Sequence, residues 1–393
     1  MNAGDRSLAQ VLTRARAAGE LALDTEFMGE RRYRTLLCLV QLAAPDDSRA
    51  PLMRAPLIAI VDPLRGGQEW SALAAVLADP AVEIVVHAGR QDIALLRREL
   101  RTEVTSVFDT QVAAGFAGMP AQASYETLLA RLAGVRLHKS ASFTRWDRRP
   151  LSGEQLLYAR EDVLHLLELS GELKRRLRAL GRLEWAYEEC APLQRASDER
   201  DPEAIFARLP RIRTLSPASQ SLARELVEWR ERTAARQDRP VQTVLSDAVL
   251  VEIAKRRPRS PERLHEIRGV NPGSLRSLGK EILASVDHSV GRAPEPLLER
   301  ERPSPPDPSD APLIALSEAL VRARAAEADV AYELIAARAD LQAIVAATRR
   351  GDPEPSVRTL QGWRRALVGE ELLDLISGRL TLSVRDGALR VVR

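Results

Sequence analysis

The sequence predicts a mixed α/β sheet with flanking helices, followed by two all-helical C-terminal modules. Near the N-terminus, three short apolar runs are joined by turn and loop chemistry, so the chain begins as a strand meander. Strands and helices then alternate up to about residue 180, an order that lays helices on a mixed sheet. Past Cys190 the pattern is helical, broken by a proline-rich stretch and closed by a short alternating run.

Met1 to Gly19 reads as a polar helix with no basic region, apolar run and cleavage site in succession, so export is not expected. The three runs of the meander are Leu21 to Asp24, Leu36 to Leu42 and Leu57 to Val61. A helical stretch from Glu69 to Leu77, the apolar run Ile84 to Val86, a helix from Gln91 to Leu100 and a strand near Val104 to Phe108 follow. Helical patterns at Tyr125 to Leu132 and Gly153 to Leu180 complete this region. No GxGxxG follows the first strand, which argues against a dinucleotide fold.

From Ser216 to Val286, amphipathic runs around Leu222 to Trp229, Val244 to Ala254 and Leu275 to Leu283 form a compact helical module. Residues 291–312 hold seven prolines among Ser, Asp and Arg, a composition that builds no core and reads as a linker. Leu313 to Ala347 and Leu360 to Ile376 are again helical, and Leu380 to Val392 alternates like a hairpin around Asp386-Gly387. The expected domains are therefore 1–190, 214–290 and 313–393, with 291–312 between the last two. At 393 residues the chain exceeds one ordinary core, since domains cluster near roughly 100–200 residues.

No window approaches the roughly 18–20 apolar residues of a membrane span, so no membrane partner is expected. Cys38 and Cys190 are far apart and form no CxxC, which excludes a disulfide framework or zinc knot and fits the reducing cytoplasm. Net charge is only +3, but basic side chains concentrate locally. Residues 131–150 carry six (Arg131, Arg136, Lys139, Arg145, Arg148, Arg149) against the single acid Asp147, and residues 251–280 carry eight against three acids. Both stretches suit phosphates, and both are also compatible with a solvated charged face.

The acids carry the chemistry. Asp24 and Glu26 end the first strand two residues apart, so both carboxylates project from one face. Asp92 follows the run Ile84 to Val86 and the turn His87-Ala88-Gly89, in the first turn of a helix beside the sheet's end. Tyr158 and Asp162 share a helix face at i, i+4 spacing. Taken singly, these are a strand end, a helix cap and a surface pair. Together, four acids suit two divalent ions about 3.5–4 Å apart, which hydrolyse phosphodiesters. Magnesium or manganese prefers such oxygens, and without cations the four would repel one another. His87, His138 and His165 make no zinc spacing.

Residues 21 to about 175 resemble the DEDDy subtype of the DEDD 3′-to-5′ exonuclease family, most closely its ribonuclease D branch. The matching pieces are LALDTEF (21–27), VVHAGRQD (85–92), FDTQVAA (108–114), SYETLL (124–129), LHKS (137–140), WDRRPL (146–151) and YAREDV (158–163), in that order. The resemblance implies a ribonuclease H-like fold and metal-dependent removal of nucleotides from RNA 3′ ends, including precursor tRNA. It implies that Asp24 bridges two metals, that Glu26 and Asp162 complete one site, that Asp92 supports the other, and that Tyr158 orients the attacking water. The chain departs from the family in having Arg145-Trp146 where an acid-Trp pair is common, with Asp147 after the Trp.

The segment from about Ser216 to Val290 resembles the HRDC domain (helicase and ribonuclease D C-terminal) through its Trp229 helix and RGVNPGSLRSLGKEIL (268–283), and LQGWRRALVGEELLDLISG (360–378) resembles a second such domain. Trp363 reads as core. Arg268, Arg276 and Lys280 are candidate phosphate contacts at a turn leading into a helix. Arg31, Arg32, Tyr33, Lys139, Trp146 and Arg149 are candidates for the path of a 3′ strand. A DNA exonuclease of repair or proofreading type would use the same acids, since only recognition of the 2′-OH separates the two polymers. A non-catalytic nucleic-acid scaffold is the reading of another class.

Overall fold

The computed structural model describes residues 7–46, 55–66, 70–137, 145–269, 272–289 and 307–392. The chain divides into two compact units. One comprises residues 1–26, 39–197 and 302–393, and the other comprises 27–38 and 198–301.

In the first unit, α1 (Leu8–Ala18) starts on a capping box between Ser7 and Gln10. The sheet strands are β1 (Glu20–Met28), β2 (Leu36–Ala44), β3 (Leu57–Val61), β4 (Glu83–Val86) and β5 (Val107–Asp109), in the order β3-β2-β1-β4-β5. β2 and β3 are antiparallel, with Val40 opposite Val61 and Ala44 opposite Leu57. β4 runs parallel to β1, with Ala22 opposite Val85, and β5 runs parallel to β4, with Val86 opposite Asp109. The expected meander and its continuation into a mixed sheet are both present. The strand expected from Val104 starts only at Val107.

The helices of this part are α2 (Trp70–Leu77), α3 (Arg90–Leu100), α4 (Thr110–Phe116), α5 (Tyr125–Leu128), α6 (Gly153–Leu164), α7 (Leu166–Ala179) and α8 (Leu183–Cys190). The expected single helical stretch Gly153 to Leu180 is two helices, because His165 sits at φ −110° and ψ 6°, outside helical geometry. The short helices α4 and α8 were not expected.

The second unit is helical: α9 (Pro202–Ala207), α10 (Pro217–Gln237), α11 (Val241–Val244), α12 (Asp247–Arg256), α13 (Pro261–His265) and α14 (Pro272–Ser289). Leu222, Leu226, Leu250, Ile253, Leu264 and Ile282 make its core. Arg230 is buried within it, donating to Asp247 at 2.6 Å and to the Leu245 carbonyl at 3.0 Å. The segment Phe27–Cys38 belongs to this unit. There Arg32 pairs with Asp238 at 2.7 Å, and the Tyr33 hydroxyl donates to Glu231 at 3.1 Å.

Most of the proline-rich stretch lies outside the described residues. The chain resumes in a helical turn at Pro308–Asp310 and enters α15 (Ala311–Ala328) two residues earlier than expected. Pro312 stands in the first turn of α15, where its missing N–H costs nothing. Then come α16 (Tyr332–Ile335), α17 (Arg338–Arg350), α18 (Gly362–Arg364), α19 (Glu370–Ile376) and the hairpin β6 (Thr381–Arg385) with β7 (Ala388–Val392). Asp386 and Gly387 take φ of 52° and 73°, as a two-residue hairpin turn requires.

These C-terminal helices share one apolar core with the sheet's helices, joining Phe108, Phe116, Leu173 and Leu177 to Leu320, Ile335, Ile344, Trp363 and Leu372. Glu189 of α8 accepts from Arg358 at 2.6 Å and from Arg364. Gly362 has φ +50°, and a Cβ there would fall 1.9 Å from Glu188 Oε1, so the close approach needs a glycine.

Candidate active site

Ala22, Asp24 and Glu26 alternate on one face of β1, with buried Leu23 and Thr25 between them. Asp92 enters from the end of β4. There the chain turns through Ala88 at φ 53° into α3, and Asp92 occupies the first helical turn. The turn is held by Asp109, whose carboxylate accepts from the amides of Ala88 (3.0 Å), Gly89 (2.9 Å) and Gln111 (2.8 Å). Gly89 is required, because a Cβ would meet the Val86 side chain at 2.5 Å. Tyr158 and Asp162 lie one turn apart on α6, which Ser152 and Gln155 cap reciprocally.

Oxygens of Asp24, Glu26 and Asp162 all lie within 4.8 Å of one another. Asp92 is not in that triad; it is buried and accepts the Thr25 hydroxyl at 2.5 Å. Burial and then the charges of Asp92, Asp162 and Glu26 hold the Asp24 carboxyl well above the usual carboxylate range. Burial and then Asp162 and Asp92 push Glu26 up to about 8. Burial, with Glu161 adding to it, raises Asp162 to about 7 against the pull of the Tyr158 hydroxyl. Burial raises Asp92 as well, outweighing the Thr25 hydrogen bond.

The charges that act on Asp24, Glu26 and Asp162 come from other carboxylates, and Asp162 Oδ2 is sealed from solvent with no hydrogen-bond partner among the described residues. This donor set of close, oxygen-only ligands fits hard divalent cations. Burial and then Asp162, Glu26 and Asp24 raise the Tyr158 phenol, so it stays protonated at neutral pH. Its ring lies 6.0 Å from that of Trp146.

The candidate strand contacts fall into three groups. Arg31 is exposed at φ 61°, while Arg268 and Lys280 are exposed in the helical unit. Arg32 and Tyr33 are engaged by Asp238 and Glu231, and Trp146 is buried beside Tyr158. Arg149 grips Asp62 through two 2.6 Å hydrogen bonds. Lys139 and His138 lie outside the described residues, as does the side chain of Arg276. Arg145 and Asp147 pair at 2.7 Å. His165 lies 3.2 Å from Glu168, and burial lowers His87 to about 4, so His87 is neutral, with Nδ1 3.0 Å from the Thr110 hydroxyl.

Sequence reasoning assigned no role to Thr25, Asp109 or Tyr125. Each stands inside a matching stretch (LALDTEF, FDTQVAA, SYETLL), which was the available signal.

Comparison with known proteins agrees with this layout. Residues 3–178 match the 3′-5′ exonuclease family, and residues 219–286 match the HRDC domain. Ribonuclease D of Gluconacetobacter diazotrophicus is 38% identical over 97% of this chain and 93% of its own length. That of Granulibacter bethesdensis is 36% identical over 98% and 94%. The crystal structure of Escherichia coli RNase D, described as an exoribonuclease involved in structured RNA processing, aligns with a TM-score of 0.76 at 28% identity, covering 94% of this chain and 96% of that one. Identity of this order, running through the exonuclease and helical parts alike, places the chain in the ribonuclease D family.

Proposed function

We propose that the chain is a metal-dependent 3′-to-5′ exoribonuclease that trims RNA 3′ ends, with precursor tRNA as its natural substrate and the cytoplasm as its compartment. The meeting of Asp24, Glu26 and Asp162 oxygens within 4.8 Å, beside Asp92, carries the reading. Asp24, Glu26, Asp92 and Asp162 would hold two magnesium or manganese ions. Such ions activate water and stabilise both the attacking and the leaving oxygen of the scissile phosphodiester.

The chain's own groups do the rest. Glu26 and Asp162 fix one side of the cluster from β1 and α6, and Thr25 keeps Asp92 turned toward it. Tyr158, protonated at neutral pH, directs its hydroxyl at the attacking water as a donor or acceptor rather than as a base. Trp146 limits the freedom of that ring. Arg31, Arg268, Arg276, Lys280 and Lys139 supply positive charge for the phosphate backbone. Arg32, Tyr33, Trp146 and Arg149 act through the contacts they already make.

A matched pair of 5′-labelled RNA and DNA oligonucleotides incubated with magnesium provides the test. RNA should shorten stepwise from its 3′ end, and EDTA or Asp24→Ala should stop it. Faster loss of DNA would favour the repair-type exonuclease, and cleavage persisting in EDTA or in Asp24→Ala would refute the two-metal reading.

A further inference from the structure

Three side chains on the sheet face that carries Asp24 hold polar atoms sealed from solvent and unpaired among the described residues. They are Gln41 at both amide atoms, Tyr125 at its hydroxyl and Asp162 at Oδ2. Gln41 is fully buried in β2, opposite Ile60 of β3. Ile60 packs on the small core of Ala22, Ala43, Val85, Val163 and Leu166. Residues opposite one another across a ladder share a face, as do residues two apart on a strand. Gln41 therefore lies on the side of Ala43 and Ala22, and so of Asp24 and Glu26.

Tyr125 packs on that same core, with its ring 5.6 Å from the His87 ring. The charges of Asp162 and Asp24 both reach its phenol. The His165 amide acts on the phenol oxygen, and the O–H proton meets no acceptor among the described residues. Unpaired polar groups are seldom retained in a sealed interior. A hydroxyl donor, an amide and a carboxylate acceptor are chemically complementary, and an ordered water can join such groups.

We propose that Tyr125 and Gln41 form a sealed hydrogen-bonding layer under the carboxylates, as positioning residues that fix the orientation in which Asp24 and Asp162 meet a divalent cation. The inference rests on reading the acids as a metal site. Groups that orient metal ligands in this way are each worth about 10–100-fold in metal affinity.

Calorimetric titration of Mn2+ into metal-stripped, RNA-free protein tests it, with the Tm in EDTA measured alongside. Tyr125→Phe and Gln41→Met should each weaken Mn2+ binding about tenfold or more. Their Tm in EDTA should fall by no more than about 4 °C, the shift that loss of one buried hydrogen bond produces in a domain of this size. Unchanged Mn2+ affinity in both variants overturns the proposal, as does weaker binding in chains that no longer unfold cooperatively. Where Gln41→Met fails to fold, Tyr125→Phe, which removes a single oxygen, decides alone. Asp24→Ala separates the two readings. If it binds Mn2+ like the parent chain, the metal site itself is wrong; if it loses binding while Tyr125→Phe and Gln41→Met keep it, only the positioning layer falls.

Discussion

Trp185 and Trp363 stack with ring centroids 5.1 Å apart and planes 16° from parallel. Phe116 meets Trp363 edge-on at 5.0 Å, so an aromatic cluster joins α4 and α8 to α18. The C-terminal helices therefore pack against the helices that flank the sheet.

Trp363→Ala should cost about 3–5 kcal/mol, because it empties a buried indole site at the centre of that shared core. Urea unfolding should show the sheet domain and the C-terminal helices losing structure in one transition. A separate early transition for the C-terminal helices would show instead that the two cores are independent.

Thr25→Val should raise the magnesium concentration needed for half-maximal RNA trimming about tenfold, since Asp92 loses the hydroxyl that orients it. Thr25→Ser, which keeps a donor, should recover most of the loss. Equal magnesium dependence in the parent chain and both variants would remove Thr25 from the site.

Stability without metal should fall as pH rises. Glu26 and Asp162 titrate at about 8 and about 7 in the folded chain, whereas carboxyls of the unfolded chain titrate near 4. A carboxyl raised by folding takes up a proton on folding, so the stability it contributes at low pH is lost between its unfolded and folded pKa values. The Tm in EDTA should accordingly decline from pH 5 to pH 8. Magnesium should raise the Tm more at pH 8 than at pH 6. A flat profile in EDTA would show that the acids are not held protonated.

Replacing Arg268 and Lys280 together by Gln should weaken RNA binding across sequences without altering cleavage of a bound end. For single-stranded RNA, each cation that no longer neutralises a phosphate should lower the slope of log affinity against log salt by about 0.7. An unchanged slope would leave both side chains as solvated surface.

The carboxylate constellation could be read in the sequence because its parts follow local periodicities. Two-residue alternation paired Asp24 with Glu26, the four-residue helical spacing paired Tyr158 with Asp162, and an apolar run followed by a turn set Asp92 at a helix start. What joins those parts is not periodic. The Thr25 bond to Asp92 and the Arg149 grip on Asp62 span 67 and 87 positions, and no local pattern announces either. Helix α4, TQVAAGF, is too short and small-residued to show a helical stripe and is fixed by the Asp109 cap and the packing around Phe116. The common core of Phe116 and Trp363 was likewise hidden, because an amphipathic helix does not state which surface its apolar face will meet.

The grouping of Phe27–Cys38 with residues 198–301 makes the helical unit discontinuous in sequence. The polypeptide leaves the catalytic unit immediately after Glu26, contributes Arg32 and Tyr33 to the helical one, and returns at Leu39. A graft of residues 198–301 onto another nuclease would thus arrive with Asp238 lacking Arg32 and the Tyr33 amide, and with Glu231 lacking the Tyr33 hydroxyl though still paired with Arg200. Recombination of this architecture should succeed only where the connection between β1 and β2 travels with the helices, so inheritance of the two is expected to be joint.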